Sequence, residues 1–182
     1  LMEYVTGEHP SDFDENFADR MASFYTELHD TTRTSKPTYR YEEMMRKNVL
    51  NRYTKNRGDL PDQLSSQWDV VFDSAGSALK PFTRDDRVVI HSDPNPDNIL
   101  FGENTCLVDW EHARFDIPEW DIAMFLNKYE FMYEIDQPVL ESFLAAYEPD
   151  VHHLDLVRLF AYLSIMNWLI ERLDAVESIP SE

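Results

Sequence analysis

The chain has 182 residues, of which 43% are hydrophobic and 13% aromatic, and this composition excludes a disordered protein. Its 35 acidic and 16 basic residues give a net charge of −19, which disfavours nucleic acid and anionic membranes as partners because both bind basic patches. No apolar run reaches the roughly 20 residues that span a bilayer, and nothing at the start resembles a leader, so the cytoplasm is the expected location.

The sequence predicts a mostly helical protein. Six segments have apolar patterns that predict helices; in the first, apolar residues recur at three- and four-residue spacing, the period of an amphipathic helix. The first has Asp12 or Asp14 as its N-cap, Pro118 opens the fourth, and the last is apolar on most sides and is expected deep in the core. The predicted helices are residues 14–29, 41–53, 63–79, 118–126, 138–147 and 154–176.

A smaller β element is predicted in the middle of the chain. Short apolar runs at 87–90, 99–101 and 105–108 predict strands, the last two paired as a hairpin. The Thr/Ser-rich segment 30–37 is predicted to be a loop, and residues 1–6 a strand end or an extended linker. The fold class expected from these elements is mostly α with a small β hairpin element.

A polar, proline-stiffened loop leads into this hairpin and carries residues suited to phosphoryl transfer. Asp93 precedes Asn98 by five positions, and Asp109 follows at the end of the next predicted strand. Phosphoryl transfer needs a carboxylate that orients the attacking hydroxyl, and oxygen ligands for the Mg²⁺ that neutralises the nucleotide phosphates. Asp93 fits the first role and Asn98 and Asp109 fit the second, while His91 is expected to brace the loop by hydrogen bonding.

A calcium-binding loop is the other metal site that this segment could form. Asp93, Asn95 and Asp97 match its odd-numbered ligands, but Asn98 stands at the position of the required glycine and Asn104 at that of the final glutamate. Strands, not helices, are predicted to flank the loop. The sequence therefore disfavours a calcium-binding hand.

Glycine is scarce in this chain. Only Gly7, Gly58, Gly76 and Gly102 occur, and no two are close enough to form a glycine-rich phosphate-binding loop. Any nucleotide must be held in another way, or partly by residues outside this chain.

Residues 91–101 and 107–111 resemble the catalytic and metal-binding motifs of the aminoglycoside phosphotransferase and choline kinase families, small-molecule relatives of protein kinases. The resemblance covers the chain as the carboxy-terminal lobe of a protein-kinase-like α+β fold. It implies that Asp93 is the catalytic base and that Asn98 and Asp109 hold Mg²⁺.

The same resemblance implies roles outside the loop. Asp121 is expected to be a structural brace, and residues 1–8 a hinge in which the backbone of Glu3 and Val5 meets the adenine of ATP. Residues 9–182 then form the helical catalytic and substrate lobe. An amino-terminal lobe with a phosphate-covering loop and a Lys–Glu pair is expected outside this chain, so the fragment alone should bind ATP weakly and turn over poorly.

The acceptor is expected to be a small amine, amino alcohol or sugar. The run Asp109-Trp110-Glu111 is similar to the choline and ethanolamine kinase branch and favours an amino alcohol, with Glu111 and Trp168 as candidate contacts to its cation. Trp168 also fits a plain core position, and Lys128 stands where a further acid would have helped a cation. The alternatives are an aminoglycoside or other antibiotic kinase, or a non-catalytic kinase-like lobe that serves as a binding surface.

Overall fold

The fold is given by a computed structural model that describes residues 6–79, 83–149 and 151–177. In this part of the chain the helices are α1 (Glu15–Thr32), α2 (Tyr41–Met45), α3 (Asn51–Asn56), α4 (Asp62–Ala78), α5 (Pro118–Phe131), α6 (Gln137–Ala146) and α7 (Leu154–Glu177). The strands are β1 (Thr34–Arg40), β2 (Thr83–Ile90), β3 (Ile99–Phe101), β4 (Thr105–Leu107) and β5 (Arg114–Asp116). None of the described helices is long and apolar enough to cross a membrane.

The chain divides into two compact units, one formed by residues up to 36 together with 86–154, the other by 37–85 together with 155–182. In the first unit, Asp14 is the N-cap of α1, and its carboxylate accepts a hydrogen bond from the Phe17 backbone N–H at 2.9 Å. The apolar faces of α1, α5 and α6 and of the β3–β4 hairpin bury one shared core. Its largest members are Phe17, Met21, Tyr25, Ile99, Phe125, Tyr129 and Phe143.

In the second unit, the rings of Tyr53 and Phe72 stack with their centroids 3.8 Å apart. The predicted helix 41–53 is here three consecutive helical segments, because a π-helical turn over Arg46–Leu50 separates α2 from α3. The buried amide of Asn167 donates a hydrogen bond to the Val49 carbonyl at 3.0 Å and thereby ties α7 to this turn.

Two small sheets belong to this fold. β3 and β4 form the predicted antiparallel hairpin, with Leu100 opposite Cys106. A three-stranded sheet has the order β1–β2–β5, and β2 pairs with β5 so that Ile90 lies opposite Arg114. This register places the end of β2, and therefore the start of the polar loop, beside β5.

Two sequence expectations are wrong, and one strand was not predicted. The segment 30–37 is not a loop: α1 continues to Thr32, and β1 begins at Thr34, because β-branched threonines suit an edge strand and an edge tolerates Pro37. Strand β5 had no prediction, since its sequence, Arg-Phe-Asp, has one apolar residue between two charged ones and so no apolar run. Helix α7 is not buried all round: Trp168 and Leu169 are exposed.

Candidate active site

Asp121, in the first turn of α5, holds the backbone at the start of the polar loop. Its fully buried carboxylate accepts hydrogen bonds from the backbone N–H groups of His91, at 3.0 Å, and Ser92, at 2.7 Å. The ring of His29 on α1 also contacts this carboxylate at 3.1 Å, and Tyr147 contacts the other ring nitrogen at 2.8 Å. Asp121 thus makes the contacts expected of a brace, through the loop backbone.

His91 links the loop to the strand that precedes Asp109. Its Nε2 lies 2.9 Å from the Val108 carbonyl oxygen, and its Nδ1 lies 3.3 Å from the Asp93 backbone N–H. Because a carbonyl can only accept and an N–H can only donate, these contacts assign the proton to Nε2 and leave Nδ1 as an acceptor. The rings of Trp110 and His91 pack edge to face, with their centroids 4.7 Å apart. The fully buried His91 ring thus connects the backbone of the loop to the backbone of the strand that precedes Asp109.

The Asp93 carboxylate is surrounded by donors. Its Oδ2 accepts hydrogen bonds from the side-chain amides of Asn95, at 3.0 Å, and Asn98, at 3.1 Å. Its Oδ1 accepts one from the ammonium group of Lys128 at 2.7 Å. These contacts hold the predicted base in a single orientation while a quarter of its side chain stays exposed.

The contact of Lys128 with Asp93 was not predicted; from the sequence, Lys128 was only a position where an acid would have helped a cationic acceptor. It lies on α5 seven positions after Asp121, so two helical turns put both side chains on the same face of the helix, towards the loop. That spacing was the available signal, but a lysine in an apolar helix is ordinarily taken as a solvated position.

Asn98 and Asp109 are brought together by the backbone. The Val108 N–H donates to the Asn98 carbonyl at 2.8 Å, which fixes the residue before Asp109 against the loop. Asp109 itself is exposed and has left-handed backbone angles, φ 63° and ψ 64°. Such angles are uncommon for residues other than glycine and cluster at functional sites.

These two side chains fit magnesium. The amide nitrogen of Asn98 donates to Asp93, which leaves its Oδ1 available as a metal ligand, and a carboxylate such as that of Asp109 is a second oxygen ligand of the kind that Mg²⁺ takes. Among the described residues, no group of three His, Cys, Asp or Glu side chains could hold a metal ion. Mg²⁺ does not require one, because it keeps several waters and commonly takes one or two protein oxygens together with substrate phosphates.

Strand β5 adds a contact that the sequence did not predict. The Arg114 guanidinium donates to the Ser92 hydroxyl at 2.7 Å and to the Asp116 carboxylate at 3.0 Å. Burial raises the pKa of Asp116 above the usual range of an aspartate, although Arg114 opposes the rise. Ser92 has a φ of 70°, so this side-chain contact and the backbone contact to Asp121 together hold an unfavourable conformation.

The remaining predicted site residues are not gathered at this point. Glu111 is exposed, and its carboxylate lies 3.4 Å from the Nε2 atom of the neighbouring His112. Trp168 belongs to the second unit, where the Arg172 guanidinium lies 4.2 Å over its ring. Glu3 and Val5 lie outside the described residues.

The polar loop, the β3–β4 hairpin and Asp109 after the hairpin together define the carboxy-terminal lobe of a protein-kinase-like fold. The chain belongs to the phosphotransferase enzyme family (APH), whose family model matches residues 1–159. No curated protein sequence matches the chain.

Solved structures with this fold include enzymes for different acceptors. Choline kinase LicA from Streptococcus pneumoniae is 19% identical (TM-score 0.61), and the match covers 98% of this chain and 61% of that one. Macrolide 2′-phosphotransferase MphH from Brachybacterium faecium is 13% identical (TM-score 0.61; 98% and 69% covered). A spectinomycin phosphotransferase solved with ADP and spectinomycin is 12% identical (TM-score 0.55; 97% and 58% covered). The chain therefore spans about 60% of the length of the choline kinase that it matches.

Proposed function

We propose that this chain is the catalytic lobe of a kinase that transfers the γ-phosphoryl group of ATP to a hydroxyl group of a small molecule. The observation that carries the proposal is a set of contacts within a single loop and hairpin. The Asn98 side-chain amide donates to the backbone carbonyl and the carboxylate of Asp93, and the N–H of Val108, which precedes Asp109, donates to the Asn98 carbonyl. Family membership supports phosphoryl transfer as the reaction class.

In the proposed mechanism, the Asp93 carboxylate accepts a hydrogen bond from the attacking hydroxyl, orients it in line with the γ-phosphorus and takes its proton. The side-chain amides of Asn95 and Asn98 hold this carboxylate in place, so little reorganisation is needed when the acceptor binds. His91 and Asp121 act on the backbone of the loop and keep Asp93 at its position.

Asn98 Oδ1 and the Asp109 carboxylate would hold Mg²⁺. When bound, the metal neutralises the charge of the nucleotide phosphates and stabilises the charge that develops during transfer. ATP as the phosphoryl donor is proposed by analogy with the structural neighbours, of which one was solved with AMP and another with ADP.

The acceptor class remains a separate prediction. The sequence favoured a choline- or ethanolamine-like amino alcohol, and neighbours of this fold include both choline kinases and antibiotic phosphotransferases. A panel of choline, ethanolamine, an aminoglycoside, a macrolide and simple sugars separates these classes when it is assayed with the whole protein.

The experiment that tests the reaction is the substitution Asp93→Asn in the whole protein. We expect turnover to fall by about 100- to 10,000-fold, the usual contribution of a general base, while nucleotide affinity stays near that of the wild type. Asp97→Asn is the matched control, because Asp97 is an exposed acid of the same loop. Equal loss of turnover and nucleotide affinity in Asp93→Asn would contradict the assignment, and an absence of transfer to every acceptor would favour a non-catalytic binding lobe.

A further inference from the structure

Lys128 is a buried cation with unused hydrogen-bonding capacity. Its side chain is 10% exposed, and its ammonium group donates to Asp93 Oδ1 at 2.7 Å. Within the described residues this is the one hydrogen bond that the ammonium makes, although an ammonium group carries three N–H donors. Buried donors are strongly disfavoured without acceptors, so the remaining N–H groups call for oxygen atoms supplied by water or by a ligand.

The ion pair also changes which ligands Asp93 can attract. An unpaired carboxylate would bind the ammonium group of an amino alcohol directly. Here the ammonium group of Lys128 already occupies that side of the carboxylate, and the pair as a whole carries no net charge. The other carboxylate oxygen is occupied by the amides of Asn95 and Asn98, which are donors as well.

A cationic ligand bound next to Asp93 would be repelled by the ammonium group of Lys128. At an effective dielectric constant of about 20, the charge of Lys128 about 6 Å away makes the binding of a cation about 100-fold weaker than it would be at an unpaired Asp93. An oxygen of the ligand instead gains a hydrogen bond from an ammonium group that is already desolvated.

We propose that Lys128 determines the acceptor class: it selects alcohols with a second oxygen function, a hydroxyl or a carboxylate, beside the accepting hydroxyl, and it excludes cationic amino alcohols. This inference rests on the proposed function, because it takes Asp93 as the group that meets the acceptor. It replaces the amino alcohol that the sequence favoured.

The test compares acceptors that differ in charge at constant shape. Choline and 3,3-dimethyl-1-butanol are isosteres that differ in the positive charge, and glycerol and glycerate supply the second oxygen function as a hydroxyl or a carboxylate. Phosphoryl transfer and calorimetric binding are measured for each acceptor with the whole wild-type protein and with Lys128→Met and Lys128→Arg. Lys55→Met, an exposed lysine of α3, is the matched control.

We expect the wild type to prefer the neutral isostere to choline and to prefer glycerol or glycerate to both. Lys128→Met removes the charge and the donors, so the ratio of choline to 3,3-dimethyl-1-butanol should rise by about 10- to 100-fold. Lys128→Arg keeps the charge and should keep the wild-type ratio, as should Lys55→Met.

Two results would overturn the proposal: a wild-type preference for choline, which would mean that another acid recognises the ammonium group, or an unchanged ratio in Lys128→Met. Failure of the proposed function has a different signature. In that case no acceptor is phosphorylated, and the binding ratio measured by calorimetry still decides whether Lys128 selects by charge.

Discussion

Ser92 and Asp121 are joined by a 2.7 Å hydrogen bond in which a backbone N–H donates to a fully buried carboxylate 29 positions later in the chain. Ser92 has a φ of 70°, which is costly for a residue other than glycine. The contact therefore couples the start of α5 to the conformation of the loop that carries Asp93.

Replacing this brace should destabilise the protein and displace the loop. In Asp121→Asn the amide can accept at one atom only, so one of the N–H groups of His91 and Ser92 loses its partner in the interior. We expect the free energy of unfolding to fall by about 2–4 kcal/mol, measured by urea denaturation. Asp19→Asn, which changes an exposed acid of α1, should stay close to the wild type. Equal stability of the two variants would show that Asp121 does not hold the loop.

The left-handed backbone at Asp109 allows its metal-binding role to be separated from its conformational role. Asparagine tolerates this conformation and alanine does not, so Asp109→Asn should keep the wild-type unfolding free energy while Asp109→Ala loses about 1–2 kcal/mol. Both variants should lose magnesium-dependent phosphoryl transfer because both lack the carboxylate. Full transfer activity in Asp109→Asn, assayed over a magnesium titration, would remove Asp109 from the proposed metal site.

The core of the first unit should depend on the stacked pair of Phe125 and Phe143, whose ring centroids lie 4.1 Å apart. Phe143 is fully buried, and its replacement by alanine should cost about 3–5 kcal/mol because a cavity remains between α5 and α6. Met132→Ala is the control, since Met132 is 59% exposed and should change stability by less than about 0.5 kcal/mol. Thermal and urea unfolding measure both variants. A loss below about 1 kcal/mol in Phe143→Ala would show that the core can close around the gap.

An ion pair in the second unit predicts a pH dependence of stability. Hydrogen bonds from the Arg52 guanidinium, and then from the Asn56 amide, hold the pKa of Glu171 below its ordinary value of 4.5. Because the folded-state pKa is the lower one, the stabilisation is present above pH 4.5 and is lost as the pH falls through the folded-state value.

The difference in unfolding free energy between the wild type and Glu171→Gln measures this contribution. It should be about 0.5–1 kcal/mol at neutral pH, since both side chains are partly exposed and solvent screens the pair. The difference should shrink as the pH is lowered below 4.5. A difference that stays constant down to acidic pH would mean that ionisation of Glu171 does not contribute.

Much of this fold could be predicted because its signals are local. The apolar patterns of α1, α4, α5, α6 and α7 predicted helices whose observed bounds differ by a few residues, and the hairpin of β3 and β4 was predicted from two short apolar runs. Strand β5 and the π-helical turn carry no such period, because they form only when a partner strand or a packed helix satisfies their backbone.

The sequence by itself determined the helical class, the family resemblance and the identity of Asp93, Asn98 and Asp109 as candidates, because these depend on residue type and on short spacing. Only the tertiary structure decided what surrounds Asp93. Lys128 and Asp121 lie 35 and 28 positions after it, and the folding of α5 against the loop brings the Lys128 ammonium to 2.7 Å from the carboxylate. An ion pair of this kind depends on which faces of two elements meet, and sequence spacing within one element does not specify that.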